Sequence, residues 1–206
     1  MIKFLKESIN SIRRIKYIIF TVIFLTLISL LVGFYYSNSQ IGWIVDLKKM
    51  ILEQLENFSA LETISVYLQD GKVLQAILYT FGFNFVSGSF FATVLTGIFV
   101  PLPLFVMIER GIMIGLLYGD TTGSTWYYII FYGTLILEFG AYVLSTSAGV
   151  NIGLSYLFPK RFGTKNRIEA FGKSWIEAGK VMMMVAIVLF IAAVWEIGGL
   201  YFLIQK

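Results

Sequence analysis

Charged residues fall in clusters along this 206-residue chain, and the stretches they leave empty constrain its fold more than any other feature. Tyr17 to Tyr36 is 20 residues without a charge, and Val73 to Ile108 is 36. From Thr121 to Pro159 the only charge is Glu138, and from Val181 to Ile204 the only one is Glu196. A helix rises about 1.5 Å per residue, so roughly 20 apolar residues cross the ~30 Å hydrocarbon of a bilayer. The chain is 58% hydrophobic and 14% charged, against about 45–50% and about 25% in a soluble domain. Its mean hydropathy is +0.81. A single soluble core has no room for that excess, and a disordered chain needs the opposite balance. The fold class that follows is all-α, a multi-pass membrane helix bundle forming one integral domain over residues 1–206.

What is missing narrows the chemistry. The chain has no Cys and no His, which removes thiol nucleophiles, disulfides, the commonest general base and the commonest metal ligand. No G-x-x-x-x-G-K-[ST] segment is present to cradle nucleotide phosphate. No catalytic residue, cofactor or metal is therefore expected. The net charge of +4 is not read as a sign of nucleic-acid binding, because the basic residues flank the apolar runs, where they act as topology signals.

Five spans are expected, at about 17–36, 73–100, 101–119, 126–158 and 181–204. The first follows Arg13, Arg14 and Lys16 and is full length, which fits a retained signal-anchor better than a cleavable signal peptide. Pro101 and Pro103 divide the second run, since proline ends or kinks a helix. The piece after them is short, so a re-entrant segment competes with a crossing. Charge arithmetic favours the crossing. Residues 1–16 carry +4, the loop 37–72 carries −2 and the loop 159–180 carries +4. Five crossings place both basic segments on the cytoplasmic side, with the acidic loop and the C-terminus outside.

In the acidic loop, Ile44, Leu47, Ile51, Leu55 and Phe58 recur at helical spacing opposite Asp46, Lys49, Glu53, Glu56 and Ala60. An amphipathic helix follows, lying on the membrane, capping the bundle or docking a partner. The inner loop carries Phe162, Ile168, Phe171 and Trp175 among its basic groups and reads as an interfacial basic helix.

Helices in lipid associate by close packing, so small residues mark seams. Gly111, Gly115 and Gly119 form one, and Ala141, Ser145, Gly149 and Gly153 a second. Gly88, Ala92 and Thr96 form a third, with Asn84 one turn earlier. They imply tight packing within one protomer or between two copies, and a homodimer is expected. Glu138 shares the face of Ala141 and Ser145. An acid at membrane depth costs about 2.5–3.5 kcal/mol on insertion scales and is a functional-site candidate by default. Glu196 has the same standing. Arg110 is the one basic residue between Lys72 and Lys160 and so a natural partner for an acid, while its neighbour Glu109 faces elsewhere.

These features together resemble a known family. NFVSGSFFATVLTGIF, MIERGIMIG, FYGTLILEFGAYVLSTSAGVNIGLSYLFP and VLFIAAVWEIGGLY are similar to the stage II sporulation protein M family of integral membrane proteins. Asn84, Gly97, Gly111, Gly115, Glu138, Gly149, Gly153 and Glu196 fall on its characteristic positions. Where the family commonly has Pro-His-Gly, this chain reads Phe131-Tyr132-Gly133, and Arg110 replaces the usual Asn. With that exchange, Arg110 is expected to pair with Glu138. The resemblance implies a membrane subunit, since the family's sporulation member works in a complex with peptidoglycan-remodelling enzymes.

Two functions remain open on this reading. One is a non-enzymatic subunit that anchors or organises a complex through a membrane or extracytoplasmic protein partner. The other is a small transporter or channel subunit using Asn84, Glu109, Arg110, Glu138 and Glu196 as a polar path.

Overall fold

The computed structural model describes residues 2–56, 58–119 and 124–204, and no strand occurs among them. Eight α-helices occur among the described residues: α1 (Ile2–Arg14), α2 (Lys16–Tyr36), α3 (Gly42–Glu56), α4 (Ser59–Gln69), α5 (Val73–Phe83), α6 (Leu102–Tyr118), α7 (Thr125–Leu157) and α8 (Arg167–Ile204). Among the described residues, four helical stretches are long and apolar enough to cross a membrane: Lys16–Tyr36, Val73–Ile98, Thr125–Leu157 and Arg167–Ile204. Helix α6, with 17 residues, is about 26 Å long, a little under the hydrocarbon thickness.

Burial is inverted relative to a soluble protein. On α2, Val22, Thr26, Ser29 and Gly33 point inward, while Phe20, Phe24, Leu27, Leu31 and Tyr35 are exposed. Lipid is as apolar as Leu, so large side chains gain nothing by turning inward, and small residues let backbones approach. Gly33 and Gly115 show the result. A Cβ on Gly33 would sit 2.8 Å from the Gly115 Cα, and one on Gly115 would sit 2.7 Å from the Gly33 Cα. Ser29 faces Gly111 and Ser37 faces Gly119 along the same contact.

Helix α5 continues into an unusual stretch. Asn84–Val94 is a π-helix, followed by a 3-10 turn over Leu95–Ile98. Phe99 is then extended and Pro101 caps α6, so the two prolines do separate two helices. The wider winding changes the third seam. The residues turned inward are Gly88, Ser89, Thr93, Val94 and Gly97, with Ala92 and Thr96 only half-buried. The four-residue ladder Gly88, Ala92, Thr96 assumed α-helical spacing and is corrected on that ground. Gly97 packs on the Gly149 backbone, Gly149 on the Thr93 carbonyl, and Gly153 on the Gly97 carbonyl.

Helices α7 and α8 form an antiparallel hairpin. At one end the Ser155 hydroxyl meets that of Ser174 at 2.9 Å, and towards the other the Trp195 indole donates to the Ile130 carbonyl at 3.1 Å. The basic segment expected as a loop over 159–180 is largely helical, since α8 starts at Arg167 and runs unbroken through the last span. Phe171 and Trp175 pack on the core, which holds that extension straight.

The acidic loop folds as two helices rather than one. Ile44 and Ile51 of α3 are buried with Leu116 of α6, and Leu47 and Leu55 pack beside them. Helix α4 buries Leu68 against Ala76 and Ile197. Phe58 lies between the two helices and meets the Phe83 ring edge-on at 5.3 Å. Ala60, expected on the outer polar face, is 4% exposed because it belongs to α4, and the Glu56 side chain lies outside the described residues. Tyr36 and Leu117 pack in the cluster of Ile44 and Ile51, and Val73 and Leu200 in that of Leu68, so one end of the bundle carries the acidic segment. At the other end α1 is tied to α8 by Arg14–Glu177 at 2.7 Å and Lys180–Glu7 at 3.1 Å.

Candidate functional site

The intramembrane polar residues come together around the middle of α7. Asn84, at the start of the π-helix, donates its side-chain amide to a Glu138 carboxylate oxygen at 2.6 Å. One turn beyond Glu138, Tyr142 is buried at 6% exposure. The Arg110 guanidinium lies over the Tyr142 ring, 4.3 Å from its centroid, and donates to the Gly88 carbonyl at 2.9 Å. Its other terminal nitrogen is buried with no hydrogen-bond partner. A cation on an aromatic face is worth about 2 kcal/mol or more once desolvated, and a guanidinium suits that geometry better than an ammonium.

The expected Arg110–Glu138 ion pair is not formed, since no salt bridge joins the two among the described residues. Tyr142 and the Gly88 carbonyl hold the guanidinium, and Asn84 holds the carboxylate. Tyr142 is the member of the cluster that sequence reasoning missed. The available signal was its position four residues after Glu138, which puts both on one helical face.

Glu196 reaches the same neighbourhood from α8. Glu138, Glu196, Thr134, Phe131, Leu200 and Leu203 help to line a cavity of about 160 Å³. The Thr134 hydroxyl is buried there without a partner. Glu109 stands apart: it is exposed and borders a cleft between α3 and α6 with Gln54, Phe105 and Met113. No group of three or more carboxylates that could hold a metal occurs among the described residues.

The seams lie beside this cluster. Thr93 and Ser145 hydroxyls meet at 2.9 Å, with Ala141 fully buried one turn away. Gly111, Gly115, Gly119, Gly149 and Gly153 all face residues of the same chain, so these seams pack within one protomer. A second cavity, of about 620 Å³, lies at the basic end and is lined by Arg14, Asn151, Arg161 and Lys173 among others.

Long apolar helices joined by small-residue seams define a multi-pass α-helical membrane protein. Residues 21–197 match the family model described as Stage II sporulation protein M, and the chain belongs to that family. No match is found among curated proteins or among solved structures.

Proposed function

We propose that the protein is a non-enzymatic membrane subunit that anchors or organises a larger complex. It crosses the cell membrane five times, with the N-terminus cytoplasmic and the C-terminus outside. Two observations support the topology: the +4, −2, +4 charges of the flanking segments, and the gathering of α3 and α4 at the opposite end of the bundle from α1. Reporter fusions should place residue 55 outside and residue 168 inside. Finding both on one side removes the five-crossing reading.

The observation that carries the anchoring role is how the polar groups are used. Asn84, Glu138, Tyr142 and Arg110 are engaged with one another or with the Gly88 carbonyl, and the two cavities share no lining residue. A closed bundle of this kind suits a part that holds others in place. Its partner is a membrane or extracytoplasmic protein, met by the α3–α4 cap. Association of two copies would use surfaces other than the seams, which are filled within one protomer. Affinity purification from native membranes tests the anchoring role, and a chain recovered alone at native expression level would defeat it.

One observation favours transport instead. Glu138, Glu196 and the unpaired Thr134 hydroxyl face one cavity, and ionisable groups at membrane depth often mark ion and proton routes. Reconstituted liposomes decide between the two. The anchoring reading expects no ion-dependent or pH-dependent flux, whereas a flux abolished by Glu138→Gln or Glu196→Gln would establish the transport reading.

A further inference from the structure

We propose that the cavity at the basic end of the bundle is a phosphate site, and that it holds the headgroup of an anionic phospholipid. It lies where α1 meets α7 and α8 and measures about 620 Å³, within the ~300–1,000 Å³ common for ligand sites. Four of its lining residues are cations, Arg14, Arg161, Lys173 and Lys180, against the one carboxylate of Glu177.

Three of those cations each hold one carboxylate: Arg14 with Glu177, Lys173 with Glu169 and Lys180 with Glu7. A guanidinium has five N–H donors and an ammonium three, so each keeps donors free. Arg161 has no ion-pair partner among the described residues and is exposed at the cavity wall. Its planar fork fits two phosphate oxygens at once.

The second observation is Asn151. It sits on α7 at 3% exposure and lines the cavity, yet its side-chain amide makes no hydrogen bond among the described residues. Its amide atoms open onto the cavity, where they can meet a ligand. Its neighbours Val150 and Ile152 are buried and apolar, and Asn151 is the α7 residue that lines the cavity. An amide donor beside a guanidinium is a suitable pair for a phosphate ester.

A lipid source follows from the rest of the wall. Ile15, Phe162 and Ile176 border the cavity, and Ile176 is 65% exposed, an apolar flank for the glycerol and upper acyl chain. Basic pockets between helices at the cytoplasmic boundary recognise anionic headgroups.

The test uses the full chain in nanodiscs of phosphatidylcholine alone or with phosphatidylglycerol, followed by native mass spectrometry of retained lipid. At least one phosphatidylglycerol should stay bound, with a preference over phosphatidylcholine of tenfold or more. Arg161→Gln and Asn151→Asp should each reduce that preference about tenfold, and Arg161→Lys should retain much of it. Asn151→Asp alters a buried position, so Arg161→Gln, at an exposed one, stands as the reading if the former fails to fold. Equal retention of the two lipids, or a preference untouched by Arg161→Gln, overturns the proposal. Inorganic phosphate is titrated in a separate arm. If it raises the thermal midpoint in phosphatidylcholine discs while phosphatidylglycerol is retained no better than phosphatidylcholine, the phosphate site stands and the lipid assignment falls.

Discussion

From Ala141 to Gly153 all but one residue of α7 is buried, whereas between Thr125 and Gly140 only Ile130 is. The same helix therefore meets two environments. Its later half runs through the centre of the bundle and touches backbone: Gly149 against the Thr93 carbonyl and Gly153 against that of Gly97. Its earlier half is more exposed and borders the cavity shared by Glu138 and Glu196. Close packing without space for water gives rigidity. A polar gap gives a place where charge and hydration can change. The polar cluster sits at the junction between the halves, where Asn84 holds Glu138 and Tyr142 holds Arg110 without lining the cavity.

The largest expected effect comes from the packed half. Gly149→Leu drives a side chain into a backbone carbonyl that cannot rotate away, so it should cost at least the ~3 kcal/mol at the upper end of ordinary overpacking. Folded protein in detergent, followed by size-exclusion yield, reads this. Because the contact lies within one protomer, the loss should appear as unfolding with no dissociation step. A variant that stays folded but changes mass would break the comparison and return the seam to a dimer interface.

Next in size is Glu138→Leu, which strands the Asn84 amide and should cost about 1–3 kcal/mol. Glu138→Gln retains an acceptor oxygen for that amide and should cost about 1 kcal/mol or less. Thermal midpoints of the two variants test the difference, and equal losses would mean that the Asn84 contact contributes nothing.

A double-mutant cycle then separates the partners of Glu138. Asn84 and Glu138 share a hydrogen bond, so their coupling should be about 1 kcal/mol. The Arg110–Glu138 coupling should be smaller, since Tyr142 receives the guanidinium. The reverse order would restore the ion pair that the structure does not form.

The smallest effect is the mirror of the first. Nothing lies within 4 Å of a Cβ built on Gly140, so Gly140→Ala should stabilise the helix by about 0.5–1 kcal/mol through backbone entropy alone. Destabilisation there would mean that the open half is as tightly packed as the other.

Much of this was legible from the charge spacing. The uncharged runs located α2, α6 and α7 to within a few residues, because a helix satisfies its own backbone in hydrocarbon, and the two prolines marked the break near residue 100, whereas α8 starts well before its uncharged run. Small residues marked contacts because lipid rewards close approach and nothing else. Recognition of the candidate polar residues also came from sequence, since an ionisable group in an apolar run has few uses. Their partners did not. Arg110 had two acids within reach by counting, but choosing between an acid, an aromatic face and a carbonyl is a question of distance and angle. The π-helix over Asn84–Val94 was hidden for a similar reason: its hydrogen bonds shift by one residue under the pull of neighbouring helices, and no local residue pattern records that. Hydropathy and residue size act locally, so the residues alone specify a membrane bundle with small-residue seams and buried acids. Which seam meets which, that Tyr142 receives the Arg110 guanidinium and that Asn151 lines a basic cavity came from the packed fold, because those depend on the relative rotation of helices far apart in the chain.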